Sequence, residues 1–317
     1  MITLDDVVAA RSRIEALIAR TPLVQSRTIS ERLGTNAYLK LEMFQKTGSF
    51  KPRGAFSQVL GFTDRQRAAG VIGVSGGNFA QGLAFACREL GVACHIAMPQ
   101  FTPSNYVEAT KAYGAEVTLT ATLAEAFDMV EKEGARGMTS AHPFDNPNMM
   151  AGNGTVGLEI LDDMPQVTDV LVSIGGGGFM TGVATALKAN KPEVRIWGVE
   201  TEGADAMHRA LEKGEISTME PTSIAKTLGA PFVSEDTLAA ASAYLEGVTV
   251  VSDRDAYREL RFILERVKVL TEPAASCTLA AASQLAERFQ PDDHVLLILC
   301  GGNSSVADIA AWEERFS

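Results

Sequence analysis

Short β-rich runs alternate with longer helical runs along this chain, and this alternation restricts the fold more than any other feature. Three such pairs follow one another between residues 71 and 134, and a glycine follows each helical run. The strands are predicted at Val71–Ser75, Ala93–Met98 and Val117–Thr120, and the helices at Phe79–Leu90, Tyr106–Tyr113 and Leu123–Lys132. Gly91, Gly114 and Gly134 would end these helices, because glycine accepts the left-handed conformation needed there. Three consecutive βα units predict a parallel sheet with helices on both faces.

A second series of strands and helices follows residue 150. Its strands are predicted at Val170–Ile174, Val194–Val199 and His294–Leu299. Its helices are predicted at Gly154–Asp163, Phe179–Ala189, Ala204–Lys213, Glu235–Leu245, Asp255–Val267 and Ser276–Arg288, with a last helix from Ser305. A helix over Met1–Arg20, capped by Thr3, and a strand at Ala37–Leu41 precede both series. The predicted fold class is therefore α/β.

Composition and charge narrow the range of functions. Of the 317 residues, 46% are hydrophobic and 21% are charged, which predicts a packed globular core rather than a disordered chain. The 28 Lys and Arg residues against 39 Asp and Glu residues give a formal net charge of -11, so we expect no binding of nucleic acid or anionic membranes. No apolar run reaches the roughly 18–20 residues of a membrane span. Asp5 and Asp6 stand where a signal peptide would be basic, so we expect a cytoplasmic protein.

The cysteine and histidine residues form no recognisable metal site or disulfide framework. Cys87, Cys94, Cys277 and Cys300 show no CxxC spacing, and the four histidines are scattered. A zinc site needs several such ligands at short, regular spacing. We therefore predict neither a zinc site nor disulfide bonds.

Lys51 is the first candidate for chemistry, because it lies in the segment Lys46–Gly54 immediately before Pro52. Proline suits the first turn of a helix, so Lys51 would stand beside a helix N-terminus. The positive end of the helix dipole disfavours an ammonium group and should lower the pKa of this lysine. Schiff-base chemistry requires a lysine of lowered pKa. From spacing alone, an ordinary surface lysine in a glycine-containing loop is the alternative.

Glycines also cluster directly after predicted strands, where open α/β sheets bind ligands. Gly175 to Gly178 lie between a strand and a helix. They predict a phosphate site, because four consecutive glycines serve packing badly and free N–H groups at a helix start attract anions. The dinucleotide-binding GxGxxG pattern fails here, since counting from Gly175 its last position is Met180, and no lysine follows as in a P-loop.

Two further strand ends carry candidate residues. The sequence Ser75-Gly76-Gly77-Asn78 precedes a predicted helix and could bind a carboxylate through its backbone N–H groups. Asn78 could donate its side-chain N–H to a ligand oxygen, or it could only cap the helix. Cys300 ends the last predicted strand and could contact a ligand, or it could be a small buried hydrophobic residue.

Taken together, these segments resemble the pyridoxal-phosphate enzymes of fold type II, the tryptophan-synthase-β-like group. Within that group, the chain resembles the serine/threonine dehydratase and serine racemase family from about Thr21 to Ser305. The resemblance implies two lobes of open, mostly parallel twisted sheets flanked by helices. Residues 1–44 and 143–317 would form the large cofactor-binding lobe, and residues 45–142 a small lobe that closes over the substrate. It also implies a homodimer.

The resemblance implies a role for each motif, with pyridoxal 5′-phosphate as cofactor and a small amino acid as substrate. Lys51 would be catalytic and carry the cofactor as a Schiff base. The tetraglycine loop would hold the cofactor phosphate, Asn78 would contact the pyridoxal 3′-oxygen and Cys300 the pyridine nitrogen. The implied cofactor-binding residues are Phe50, Lys51, Asn78, Gly175, Gly176, Gly177, Gly178, Phe179, Glu272 and Cys300. The implied substrate-binding residues are Ser75, Gly76, Gly77, Asn78 and Phe79.

The implied reaction is an elimination. A thiol at the ring nitrogen makes the ring a weaker electron sink than a carboxylate would, which favours prompt loss of a β-leaving group over transamination. The expected enzyme is a dehydratase, or ammonia-lyase, that converts a 3-hydroxy amino acid to a 2-oxo acid and ammonia. L-threonine and L-serine are the first candidate substrates, and Lys51 would remove the Cα proton.

The chain departs from the family pattern at three positions. Gly76 replaces the serine that supplies a proton in racemases, so racemisation is not the first expectation. Phe79 replaces a histidine and adds apolar bulk, either beside the substrate or in the core. Glu200 matches a cation ligand of the racemase branch, but Ala206 occupies the position of the second carboxylate. No metal is therefore predicted, because one carboxylate is a poor ligand set for Mg²⁺.

Several other functions remain open. A related enzyme could be a racemase, a β-replacement synthase, or an eliminase of 3-hydroxyaspartate or an aryl-serine. The predicted helix Leu123–Lys132 has no arginine for a second carboxylate, which argues against 3-hydroxyaspartate. A nicotinamide-dependent oxidoreductase is a remote alternative, because Glu200 follows the Gly175 loop at the end of the next strand. A relative that binds the cofactor without catalysis is the last.

Overall fold

The computed structural model describes the whole chain, residues 1–317. The helices are α1 Leu4–Ile14, α2 Arg27–Leu33, α3 Lys51–Gly61, α4 Asp64–Ala68, α5 Asn78–Glu89, α6 Ser104–Ala112, α7 Leu123–Ala135, α8 Pro147–Asp163, α9 Gly178–Asn190, α10 Ala206–Lys213, α11 Glu235–Tyr244, α12 Asp253–Phe262, α13 Pro273–Gln284 and α14 Val306–Phe316. The strands are β1 Leu23–Gln25, β2 Asn36–Leu41, β3 Val71–Val74, β4 Cys94–Pro99, β5 Glu116–Thr120, β6 Thr139–Ala141, β7 Asp169–Ser173, β8 Arg195–Thr201, β9 Gly247–Val251 and β10 His294–Leu299. No helix combines the length and the apolar character that crossing a bilayer requires.

The strands form two separate sheets. The larger has six strands in the order β1-β2-β10-β7-β8-β9, and only β1 runs antiparallel to its neighbour. Its central strands read as continuous apolar runs, such as Val295–Leu299, because helices cover both faces. The main apolar core, with 48 buried residues, packs around this sheet. The predicted α/β class is confirmed.

The smaller sheet has four parallel strands in the order β5-β4-β3-β6. It arises from the three predicted βα units, whose helices α5, α6 and α7 return the chain to parallel strands. Its core contains 14 buried residues, far fewer than the core of the larger sheet. Most of the fold's apolar burial therefore lies with the larger sheet.

Glycines end two of the three predicted helices as expected. Gly91 and Gly114 follow α5 and α6 with φ of 67° and 93°. The prediction for Gly134 is wrong, because α7 continues to Ala135 and the left-handed residue is Gly137, with φ of 113°. Glycine is tolerated within a helix, so the residue type alone did not locate the end.

The first helix is shorter than predicted, although Thr3 caps it as expected. The Thr3 hydroxyl accepts the Asp6 N–H at 3.3 Å, but α1 ends at Ile14 rather than Arg20. The side chain of Gln45 binds the N–H of Ala19 at 2.9 Å and its carbonyl at 2.6 Å. These bonds replace the helical hydrogen bonds that would otherwise continue the helix. Strands β1, β6 and β9 were not predicted from the sequence.

A buried ion network anchors the start of α3 to the larger sheet. Arg53 is fully buried and donates to Glu42 at 2.8 Å and to Glu159 at 2.7 Å. Lys40 on β2 donates to the other oxygen of Glu159 at 2.6 Å. Breaking one member of such a network leaves an uncompensated buried charge, at a cost of about 3–5 kcal/mol. The helix that begins with Lys51 is therefore held firmly.

Candidate active site

A cavity of about 530 Å³ lies between the two sheets. Strand ends of both sheets supply its walls, as expected for ligand sites in open α/β folds. Every residue that the sequence analysis placed in the site lines this cavity, namely Phe50, Lys51, Ser75, Gly76, Gly77, Asn78, Phe79, Gly175, Gly176, Gly177, Gly178, Phe179, Glu272 and Cys300.

Lys51 is the first residue of α3, with Pro52 in the first turn as predicted. The preceding segment is tied to the end of β10, because the Phe50 N–H donates to the Cys300 carbonyl at 3.0 Å. The Lys51 amine donates to the Pro143 carbonyl at 3.0 Å and lies 5.0 Å from the centre of the Phe50 ring. The amine therefore projects into the cavity from a fixed backbone.

The pKa of Lys51 is lowered to about 8, mainly because burial disfavours the charged amine. The nearby Cys300 and Glu272 oppose this shift. The predicted direction is therefore found, but the main cause is burial, whereas the sequence argument relied on the helix dipole. At neutral pH, an appreciable share of this lysine is already a neutral nucleophile.

Cys300 forms part of the cavity floor at the end of β10. Its Sγ accepts a hydrogen bond from Ser173 Oγ at 3.5 Å and lies 3.5 Å from the Ala274 carbonyl. Burial raises the pKa of the Cys300 thiol, so the side chain remains a neutral thiol at ordinary pH. Ser173 was not predicted as a site residue.

Asn78 belongs to a network of buried polar side chains. Its amide donates to both oxygens of Glu272, at 2.9 and 3.2 Å, and its oxygen accepts from Asn303 at 2.8 Å. Thr227 also donates to Glu272 at 3.0 Å. The alternative that Asn78 caps α5 is wrong, since Gly77 holds the N-cap position and no side chain caps this helix. Sequence reasoning did not single out Thr227 or Asn303, although Asn303 closes the Gly-Gly-Asn motif after Cys300.

The tetraglycine loop presents unpaired backbone N–H groups to the cavity. None of the N–H groups from Gly175 to Met180 donates to another backbone group. Gly177 has φ of 91°, which favours glycine. A row of free N–H groups at the start of a 13-residue helix suits an anion.

Packing also requires glycine in this loop, contrary to the sequence argument. A Cβ atom on Gly176 would lie 2.2 Å from the Phe144 ring, and one on Gly178 would lie 2.4 Å from the Phe144 carbonyl oxygen. The same close approach of Phe144 holds the loop in place. The glycines thus serve both the packing and the exposure of the N–H groups.

The loop after β3 resembles the tetraglycine loop in its exposed N–H groups. The N–H groups of Gly76, Asn78 and Phe79 donate to no backbone acceptor, while the Gly77 N–H donates to Ser75 Oγ at 3.0 Å. Phe79 is only 2% exposed and belongs to the core of the smaller sheet. Its ring centre nevertheless lies 5.6 Å from the Lys51 amine, so both sequence interpretations of Phe79 apply.

Glu200, the candidate cation ligand, serves instead as a cap for α10. Its two oxygens accept the N–H groups of Met207 at 2.9 Å and His208 at 2.7 Å. Asp205 pairs with Arg209 at 2.9 Å. Burial raises the pKa of Glu200 to about 8. No group of three or more potential metal ligands occurs in the chain.

The residues around the cavity fit a pyridoxal phosphate: a neutral amine, an aromatic ring, a thiol and a cradle of amides for a phosphate. A family model described as pyridoxal-phosphate dependent enzyme matches residues 14–301. The chain belongs to this family. The predicted cofactor, pyridoxal 5′-phosphate, is thereby confirmed.

Relatives in this family cover nearly the whole chain. The L-threonine ammonia-lyase of Geobacter sulfurreducens is 39% identical over 311 residues, which are 96% of this chain and 77% of that protein. A catabolic L-threonine dehydratase of Staphylococcus aureus is 35% identical over 316 residues, 98% of this chain and 91% of that one.

Solved structures of related enzymes have the same fold. Maize serine racemase superposes with a TM-score of 0.92 and 31% identity, covering 99% of this chain and 97% of that one. The threonine deaminase of T.th. gives a TM-score of 0.89 at 36% identity, covering 96% and 99%. The predicted fold type II architecture is confirmed.

Proposed function

We propose that the protein is a pyridoxal-phosphate-dependent ammonia-lyase that dehydrates a 3-hydroxy amino acid, with L-threonine and L-serine as the reference substrates. Its relatives include threonine and serine ammonia-lyases, which confirms the predicted class of enzyme. The observation that carries the proposal is the position of the Lys51 amine. It projects into a cavity lined by two loops with free N–H groups, one from each sheet.

The geometry supports a separate role for each wall of the cavity. The N–H groups from Gly175 to Met180 would hold the cofactor phosphate, and the N–H groups of Gly76, Asn78 and Phe79 would hold the substrate carboxylate. The bound cofactor supplies an electron sink for the electrons of the Cα–H bond. Lys51, with a pKa near 8, can accept the Cα proton and can later return a proton to the departing hydroxyl.

Cys300 and Glu272 set the charge around the ring. A neutral thiol at Cys300 does not stabilise a protonated ring nitrogen, which favours rapid elimination over reactions that need a long-lived carbanion. Burial raises the pKa of Glu272, whereas the hydrogen bonds from Asn78 and Thr227 lower it. We propose that this carboxylate fixes the orientation of Asn78 beside the cofactor.

Racemisation of the same substrates is the second candidate function, and Thr102 favours it. Gly76 has no hydroxyl, but a Cβ atom built on Gly76 would lie 2.6 Å from Thr102 Oγ1. The Thr102 hydroxyl therefore reaches the place beside the substrate loop from which a serine could deliver a proton. Formation of D-serine from L-serine, measured by chiral chromatography, tests this candidate.

We also propose the lobe boundaries 1–44 with 143–317 and 45–142, a homodimer, and a cytoplasmic location. All strands of the smaller sheet fall within residues 45–142, and all strands of the larger sheet fall outside them, which supports the boundaries. The dimer rests on analogy with the fold type alone. Light scattering of the purified protein and fractionation of the source cells test the last two proposals.

Turnover of threonine tests the proposed function. The purified protein with pyridoxal phosphate should convert L-threonine to 2-oxobutanoate and ammonia in equal amounts. Lys51→Ala should abolish turnover while the circular dichroism spectrum stays unchanged. Substantial keto-acid formation by Lys51→Ala would refute the role of Lys51 as base, and no product from any 3-hydroxy amino acid would refute the function.

A further inference from the structure

One side of the cavity is lined by large apolar side chains, which we name the aromatic wall: Phe79, Phe101, Leu123 and Phe127. All four belong to the elements of the smaller sheet. Phe79 lies in the first turn of α5, Phe101 lies between β4 and α6, and Leu123 and Phe127 lie on α7. Phe101 is 74% exposed and Phe127 is 40% exposed. Two exposed phenylalanines at the mouth of one cavity are unusual, because burial of each ring would be favourable.

The aromatic wall lies next to the place where a substrate would react. The Phe79 ring centre is 5.6 Å from the Lys51 amine. The close approach of Thr102 to Gly76 places the loop that carries Phe101 against the proposed carboxylate-binding loop. Leu123 and Phe127 are four residues apart on α7 and so share one helix face. A substituent on the substrate Cβ, held between Lys51 and the carboxylate loop, would therefore point at the wall.

The chemistry of the wall selects among possible side chains. None of its four members carries a charge or a hydrogen-bonding group, so a second substrate carboxylate would find no partner on it. The exposed cation of the cavity lining, Lys226, comes from the loop that follows α10 and precedes α11. The methyl group of threonine would leave most of the wall in contact with water. An aromatic ring would cover it, with the added preference of aromatic rings for edge-to-face or offset contact.

We propose that the preferred substrate is a 3-hydroxy amino acid with an aryl group on Cβ, such as 3-phenylserine. This inference rests on the proposed function and specifies its substrate. The Cα–H and Cβ–OH bonds break with loss of water. The resulting enamine becomes an imine, which takes up one water molecule and releases ammonia and a 3-aryl-2-oxopropanoate. The overall reaction needs no oxidant or reductant.

Competition among four substrates tests the inference on the holoenzyme. The probes are threo-3-phenylserine, L-threonine, 3-hydroxyleucine and 3-hydroxyaspartate, with keto-acid formation as the readout. We expect kcat/KM for phenylserine to exceed that for threonine at least tenfold, since hydrophobic contacts in a pocket discriminate by about 10–200-fold. Hydroxyleucine should fall between them, and hydroxyaspartate should be the poorest substrate.

Phe127→Ala should lower the ratio of kcat/KM for phenylserine to that for threonine about tenfold, because the truncated wall no longer contacts the ring. Phe44→Ala is the matched control, since Phe44 is 54% exposed but does not line the cavity. It should leave the ratio unchanged. Should Phe127→Ala fail to fold, Phe101→Ala provides the same measurement at a more exposed position.

Each outcome decides between the inference and its foundation. Faster turnover of threonine or hydroxyaspartate than of phenylserine would overturn the inference and leave the proposed function intact. An equal ratio in Phe127→Ala, Phe101→Ala and Phe44→Ala would overturn the role of the wall. Absence of keto acid from all four substrates would overturn the proposed function and the inference together.

Discussion

Two loops of this protein start from the same topology and differ in how tightly the rest of the molecule encloses them. Both the tetraglycine loop after β7 and the loop Ser75–Gly77 after β3 join a parallel strand to a helix and expose free N–H groups. Phe144 encloses the tetraglycine loop so closely that a Cβ atom on Gly178 would lie 2.4 Å from its carbonyl oxygen. A Cβ atom on Gly77 would meet only Thr227 Cγ2, at an ordinary 3.4 Å.

The difference suits the ligands that we assign to the loops. A cofactor phosphate is the same in every turnover, so a fixed cradle binds it without rearrangement at each cycle. Substrates enter and leave, and a loop with room beside it can adjust. The larger sheet thus provides the rigid half of the site, and the smaller sheet provides the adaptable half.

Gly177→Ala should have the largest effect. Its φ of 91° is unfavourable for alanine, and the new Cβ would lie 2.6 Å from Thr237 Cβ. Overpacking costs about 1–3 kcal/mol, so the Kd for pyridoxal phosphate should rise about 10–100-fold. Spectrophotometric titration of the apo-protein measures this constant. An unchanged Kd would show that the loop is less enclosed than the contacts indicate.

The pH dependence of cofactor uptake should be the next largest effect. Only the neutral amine attacks an aldehyde, and the pKa of Lys51 is lowered to about 8 from the ordinary 10.5. The rate of uptake by the apo-protein should therefore fall about tenfold per pH unit below 8 and level off above it. A stopped-flow absorbance series measures the midpoint. A midpoint near 10.5 would mean that the amine is solvated rather than enclosed between the loops.

Gly76→Ser should have an intermediate effect, confined to the substrate. The new Cβ would lie 2.6 Å from Thr102 Oγ1, which is the end of a side chain and can move. We expect KM for L-threonine to rise about threefold to tenfold, with the Kd for pyridoxal phosphate unchanged. Adding Thr102→Ala should restore most of the lost affinity. A failure of this double variant to recover would place the clash elsewhere.

Gly77→Ala should have the smallest effect and is the matched partner of Gly177→Ala. Gly77 has φ of -137°, which alanine adopts readily, and its surroundings leave space for a methyl group. KM for L-threonine and the Kd for pyridoxal phosphate should each change by less than about threefold. A loss as large as that of Gly177→Ala would remove the distinction between the two loops.

The sequence predicted the features that depend on local geometry. Pro52 located the start of α3 and therefore Lys51, and the two glycine loops could be recognised because strand ends and helix starts have characteristic residues. The alternation of strands and helices predicted the smaller sheet, although Gly134 did not end α7 and strands of three residues such as β6 were missed. Short strands carry too few residues for a periodic signal.

The sequence could not predict contacts between distant parts of the chain. Thr227 and Asn303 join Asn78 and Glu272 only after both sheets have folded. Burial, the main cause of the lowered pKa of Lys51, also depends on the whole cavity. The aromatic wall draws Phe101 and Phe127 from separate elements, and neither residue stands in a recognisable motif.

Identification of the lysine that binds the cofactor is the most direct test of the whole account. The holoenzyme should be yellow, and borohydride reduction followed by proteolysis and mass spectrometry should find a phosphopyridoxyl group on the peptide that contains Lys51. The same treatment of Lys51→Ala should give no labelled peptide. A label on another lysine of the cavity, such as Lys226, or a colourless protein without any label, would contradict the account.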